Sequence, residues 1–265
     1  MTAYRICTDR DIPALKAIWL SCFEEREDAA ELFFKRNKSA FHAYACEKDG
    51  RIVSALYLID CSLNSESAHY LCGAATLPDY RGQGLMSALI EYALDDAKRR
   101  GDRYSLLLPA SESLYGFYAR FGYQPACAVK SAILETDTAR STDGTPDLQR
   151  LQKECFRQNF LIWDGAFIRF AASYYACYGA RTVQSENAFA IYESDGDLAE
   201  VYYAVSNDIG ALKALLNKNG ISRFSLTGAA DCPLFDGEIK KPFGMILPLC
   251  NDRIPDNVFI GITLQ

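Results

Sequence analysis

Apolar positions recur along the chain with two periods, and the alternation between them outlines the elements. After a short strand-like start at "YRIC", Thr8 and Asp9 offer amino-terminal caps for a helix with an apolar face through Ile12, Leu15, Ile18, Trp19 and Cys22. "EDAAELFFKR" predicts a second, short helix. In "AFHAYACEKDGRIVSALYLI" two apolar-rich runs flank Lys48-Asp49-Gly50-Arg51, the pattern of a β-hairpin closed by an Asp-Gly turn. "HYLCGAATL" adds another strand. From Gly84 to Arg100 the spacing becomes helical, with Leu85, Leu89, Tyr92 and Ala93 on one face and Glu91, Asp95 and Lys98 on the other. Basic residues fill the last turn and Gly101 suits the carboxy-terminal cap. A strand at "RYSLLLP", a short helix through "SESLYGFYARF" and a strand from Tyr123 onward complete a first half ordered β-α-α-β-β-β-α-β-α-β.

"TDTARSTDGTPDL" is rich in turn-forming residues and predicts a break between domains, with residues 1–136 before it, a linker at 137–148 and residues 149–265 after it. The second half repeats part of the first. Helical "LQRLQKECF" and "AFIRFAASYYACY" precede "FAIYESDGDLAEVYYAV", which resembles the earlier hairpin unit "FHAYACEKDGRIVSALYL". A helix at "DIGALKALLNKNG" and three strand-like runs follow, the last being "NVFIGITLQ".

The two halves differ where a helix begins after the hairpin. The first offers Arg81-Gly82-Gln83-Gly84, basic and free of acid; the second offers Ser206-Asn207-Asp208. Free N–H groups and the dipole at a helix start attract anions, and a carboxylate there repels them. Only the first half is suited to a phosphate. By itself a glycine turn can equally be geometry alone, and neither G-x-x-x-x-G-K-[ST] nor G-x-G-x-x-G is complete here.

"TLPDYRGQGLM", from Leu77 through Gly84, resembles the acyl-CoA signature of the GNAT acetyltransferases, and "SESLYGFYARFGYQPA" resembles that family's next motif. Met86 stands where glycine or alanine is usual, a departure similar to the Eis-like branch. The resemblance implies a mixed-sheet α/β (α+β) GNAT fold over about the first half, followed by a degenerate GNAT-like domain without a CoA site. It implies an enzyme that moves an acetyl group from acetyl-CoA to the amine of a small molecule or peptide. Gly82, Gln83, Gly84, Leu85, Met86 and Ser87 would hold the pyrophosphate beside Arg81, while Ala74, Ala75 and Thr76 would pair with pantetheine, a backbone N–H near Ala75 or Thr76 polarising the thioester carbonyl. Ser111 takes the position often held by asparagine. Tyr118 takes the place of the family's acid, with cofactor contact or packing as the other readings, among 16 tyrosines. Trp19, Phe23, Glu24, Glu25 and Phe33 are candidates for the acceptor side, or else core and solvated helix face. The base is open: "HYLCGAATL" contains no carboxylate, leaving Glu66, Asp79, His69, a water relay or the terminal carboxylate at Gln265. A non-catalytic acyl-CoA sensor and a transferase of a larger acyl group are the alternatives.

Composition narrows this picture without redirecting it. Of 265 residues, 49% are apolar and 23% charged, which suits a chain with a substantial core. The net charge of −6 argues against nucleic acid and suits a cationic small substrate, or none. No signal-like or bilayer-length apolar run occurs, so no membrane partner and a cytoplasmic location are expected. Ten scattered cysteines without a C-x-x-C pair, and two histidines, point to reduced core thiols and no metal. Two fused halves with strand edges suit a homodimer.

Overall fold

The computed structural model describes residues 1–35, 41–138, 141–156, 159–196 and 198–264. The first elements are β1 (Thr2–Ile6), α1 (Ile12–Cys22), α2 (Glu27–Lys35), β2 (Phe41–Lys48), β3 (Arg51–Leu63), β4 (Glu66–Thr76), α3 (Leu85–Arg100), β5 (Tyr104–Leu107) and α4 (Ser113–Ala119). They are followed by β6 (Val129–Glu135), α5 (Leu148–Cys155), β7 (Leu161–Ile162), α6 (Gly165–Ala176), β8 (Arg181–Gln184), β9 (Ala188–Asp195) and β10 (Leu198–Ser206). The last are α7 (Ile209–Lys218), β11 (Arg223–Ala229), β12 (Glu238–Lys240) and β13 (Met245–Pro248).

The chain forms two compact units, Met1–Gln124 with Ile246–Ile254, and Pro125–Met245 with Pro255–Gln265. In the first, a sheet runs β1-β2-β3-β4-β5-β13. Its hairpin turn falls on Asp49 and Gly50, both left-handed at φ 51° and 79°, as the Asp-Gly pair predicts. α3 packs on one face, burying Leu85, Leu89, Ile90, Ala93, Leu94 and Ala97, and ends at left-handed Gly101. α1 and α2 supply an aromatic cluster, with Trp19 stacked on Phe33 at 4.4 Å and edge-on to Tyr57 at 5.5 Å.

The units are bounded differently from the domains expected at 136 and 148. β6, read from periodicity as the last strand of the first domain, pairs instead with β11 and β12 in a second sheet ordered β12-β6-β11-β10-β9-β8. Residue period reports a strand but not its partner, and that partner lies far along the chain. The strand expected from Tyr123 begins only at Val129. The described residues of "NVFIGITLQ" likewise form no strand; Val258 and Phe259 make single bridges to Cys127 and Phe160. Helices α5, α6 and α7 each start on an aspartate, Asp147, Asp164 and Asp208, whose carboxylate accepts main-chain N–H bonds.

One polar network lies buried under the end of α3. His69 Nδ1–H donates to Asp102 at 2.7 Å, and Asp102 also accepts from Ser67 Oγ at 2.7 Å and Arg100 at 3.0 Å. Burial holds the imidazole below its ordinary pKa despite the carboxylate. Asp102 itself is lowered to about 2: burial pushes it up, but His69, Ser67 and Arg100 outweigh that. Because the folded state resists protonating His69, stability is fully present above the unfolded histidine pKa and falls as pH drops below it. Urea midpoints should therefore decline as pH falls below about 6.5, and His69→Gln should flatten that decline.

Candidate active site

Strands β4 and β5 run parallel but pair over only three positions, Ala68–Tyr104, His69–Ser105 and Tyr70–Leu106. Beyond Tyr70, β4 continues to Thr76 while β5 ends at Leu107, so the two strands part. On its other side β4 stays with β3, but irregularly: Tyr57 faces Cys72 and Ala55 faces Ala75, so Gly73 and Ala74 together oppose Leu56. This bulge needs Gly73, which is left-handed at φ 59°. A Cβ there would stand 2.4 Å from Trp19 Cζ3 and 2.8 Å from Tyr57 Cδ2. A glycine inside a strand pattern was the available sequence signal for it.

The strand ends in a short 3-10 turn at Pro78–Tyr80, followed by Arg81 to Gly84, all exposed. Gly82 and Gly84 both lie at φ 74°, and a Cβ on either would meet nothing within 4 Å. Conformation rather than crowding calls for glycine there, and the space in front of the chain is open. No side chain caps α3, its first turn holds no acid, and the first main-chain bond into it is Ala88 N–H to Gly84 C=O at 3.1 Å. Among the described residues no acceptor meets the N–H groups from Gly82 to Ser87. A concavity of free donors at the positive end of a 16-residue helix is what an anion requires. Arg81 Nε donates to Thr76 C=O at 3.0 Å, tying the turn back to the strand end.

Lys48, which sequence reasoning missed, joins this turn from the β2–β3 hairpin. Its ammonium donates to Gln83 Oε1 at 2.6 Å and stands 5.9 Å from the Tyr80 ring centre. The pairing of Lys48 with Arg51 at the hairpin tip carries it there, and nothing local announces the contact.

Tyr118 is buried on α4, edge-on to Tyr123 at 5.9 Å, and among the described residues its hydroxyl has no hydrogen-bond partner. Burial, with a smaller contribution from the Cys72 thiol, pushes it up to about 12. Ser111 is exposed and hydrogen-bonds Ser113 at 2.9 Å.

The acceptor-side candidates separate. Trp19 and Phe33 are core, with Trp19 6% exposed; Glu25 accepts from Trp19 Nε1 at 3.4 Å, Phe23 is half-buried and Glu24 is exposed. Of the base candidates, His69 is sealed against Asp102, Asp79 is exposed in the turn, Glu66 is exposed at the opposite end of β4, and Gln265 lies outside the described residues. Among the described residues no His, Cys, Asp and Glu cluster could hold a metal ion, and no helix is long and apolar enough to cross a membrane.

Residues 3–126, which contain both the turn and α4, match the acetyltransferase (GNAT) domain family. They are a GNAT domain. Solved structures similar to the whole chain include a probable N-acyltransferase from Enterococcus faecalis, 16% identical over 94% of this chain and 73% of its own, with TM-score 0.72. A GCN5-related N-acetyltransferase from Kribbella flavida gives 14% identity, 93% and 70% coverage and TM-score 0.71. Eis1 from Mycobacterium abscessus gives 15%, 94% and 74%, and 0.68. At these identities the likeness is one of fold, and it extends past the GNAT domain into the second unit. No curated protein matches the chain.

Within the GNAT domain, Gly73→Ala should destabilise by about 2 kcal/mol or more, from left-handed strain plus the overlap with Trp19. A lowered urea midpoint checks this; an unchanged midpoint contradicts the bulge geometry.

Proposed function

We propose that this protein transfers an acetyl group from acetyl-CoA to the amine of a small molecule or peptide. The observation that carries this reading is the run of free N–H groups from Gly82 to Ser87, placed where β4 has parted from β5. The pyrophosphate takes those donors, with Arg81 and Lys48 adding positive charge. Pantetheine lies along the unpaired edge of β4 at Ala74, Ala75 and Thr76, which brings the thioester to the bulge.

The acceptor nitrogen attacks the thioester carbonyl carbon, and the carbon–sulfur bond breaks. The departing CoA sulfur leaves with that electron pair and takes the phenolic proton of Tyr118. The amine's proton leaves through water, since His69 is sealed and β4 carries no carboxylate beyond Glu66. The phenol is then reprotonated from solvent, leaving an acetamide and CoA thiol. Raised to about 12, Tyr118 keeps its proton throughout the working range, as an acid must. Free thiols at all ten cysteines suit a reducing cytoplasm.

Release of CoA thiol from acetyl-CoA, followed with polyamines, aromatic amines and short peptides, tests the activity. Tyr118→Phe should lower kcat by about 10²–10³ while leaving KM for acetyl-CoA within a few-fold; equal loss in KM would make Tyr118 a binding residue instead. Because Tyr118 acts protonated and its pKa is raised, wild-type kcat should show no alkaline fall before about pH 10. Lys48→Ala should raise KM for acetyl-CoA several-fold, more at low salt than at high.

A further inference from the structure

The second unit contains a buried cation without a carboxylate. Lys130 on β6 is 8% exposed, and among the described residues it makes no ion pair. Its ammonium donates to Cys232 C=O at 2.6 Å and lies 5.1 Å from the centre of the Phe235 ring. A charge so placed is costly unless an anion or strong dipoles stand beside it. The Cys232 thiol, also buried, is close enough to feel that charge.

Cys232 is not alone. Cys155, at the end of α5 and equally buried, lies close enough to the Cys232 sulfur for the two thiols to influence one another. Cys155, the Leu234 backbone and Lys130 favour the Cys232 thiolate, while burial and exposed Asp231 oppose it; the balance lowers its pKa. The Cys155 thiol moves the other way, well above its ordinary value, because its neighbour Cys232 and burial both raise it. Both residues line a cavity of about 20 Å³ whose walls are mainly apolar, with Phe156, Leu212 and Phe235 beside Ser206 and Thr227. That is room for about one molecule the size of water. An activated thiol, a protonated thiol beside it and a small cavity lined by both are the parts of a reactive dithiol.

We propose that Cys232 and Cys155 form a peroxide-sensitive dithiol that closes to a disulfide within the second unit. The Cys232 thiolate attacks one oxygen of hydrogen peroxide and the O–O bond breaks. The leaving hydroxide takes a proton to become water, and Cys232 becomes a sulfenic acid. The Cys155 sulfur then displaces the sulfenic hydroxyl, which departs as a second water with the Cys155 proton. Two thiols have lost two electrons, and one peroxide has become two waters. The new bond staples the end of α5 to the segment after β11. This role is independent of acetyl transfer and belongs to a half that has no phosphate-binding helix start.

The test uses the full chain, fully reduced, exposed to about one equivalent of hydrogen peroxide, then alkylated and mapped as peptides without reductant. The expected product links the Cys155 and Cys232 peptides, is reversed by dithiothreitol, and raises the melting temperature by several degrees. In Cys155→Ser, a dimedone probe should label Cys232. Lys130→Met should slow oxidation at neutral pH by about tenfold, through loss of thiolate. If Cys155 and Cys232 stay reduced while exposed Cys250 is oxidised, or pair with other cysteines, the proposal is overturned. The wild-type peptide map decides this whether or not either variant folds.

Discussion

The first unit depends on a pairing that stops early. Parallel strands β4 and β5 hold each other for three positions, and everything that reads as a site lies beyond the last of them. An unpaired strand edge in a sheet interior is costly unless something supplies partners. Here the edge is not covered by another strand, because β13 adds on the far side of β5. The bulge at Gly73 and Ala74 adds a local twist at the same place. Trp19 packs into the space that a side chain at residue 73 would occupy, so the aromatic cluster of α1 and α2 and the shape of the strand specify one another.

Helix capping distinguishes the start of α3 from the helices of the second unit. In the second unit, α5, α6 and α7 satisfy their first N–H groups with their own aspartates. A chain that can do this three times leaves α3 with a left-handed glycine, no side-chain cap and no acid in its first turn. The cost of forgoing a cap is about 1 kcal/mol. That cost is intelligible if an external anion takes the cap's place. Among the described residues, α5, α6 and α7 of the second unit carry aspartate caps, whereas α1, α3 and α4 of the first carry no side-chain cap, and of these α3 is the one that follows a left-handed glycine.

Local chemistry made some of this legible in advance. Asp49-Gly50 announced its turn, Gly101 its cap, and Arg81 to Gly84 the exposed start of α3, since each depends on residues adjacent in sequence. What escaped was non-local. β6 reads as a strand from its own residues, but its choice of β11 over the first sheet depends on a partner nearly a hundred positions away. β13 reaches the first sheet from beyond residue 240 for the same reason. Lys48 arrives beside Gln83 through a hairpin register, across 35 positions. Trp19 was ambiguous because a helix face that lines a ligand and one that fills a core have the same period. His69 is neutral and locked to Asp102, which no single-residue pattern shows.

The claim on which the functional account rests is that the free N–H groups of the α3 start hold the phosphates of acetyl-CoA. Isothermal titration of the full chain with acetyl-CoA addresses it directly, using wild type and Gly84→Asp, which places at α3 the kind of carboxylate that α7 already carries. Aspartate tolerates the left-handed conformation better than most residues, so the fold should survive. The account predicts saturable one-site binding by the wild type, and affinity lower by tenfold or more in the variant with its melting temperature little changed. Equal affinity in the two proteins, or no binding by a folded wild type, would contradict it.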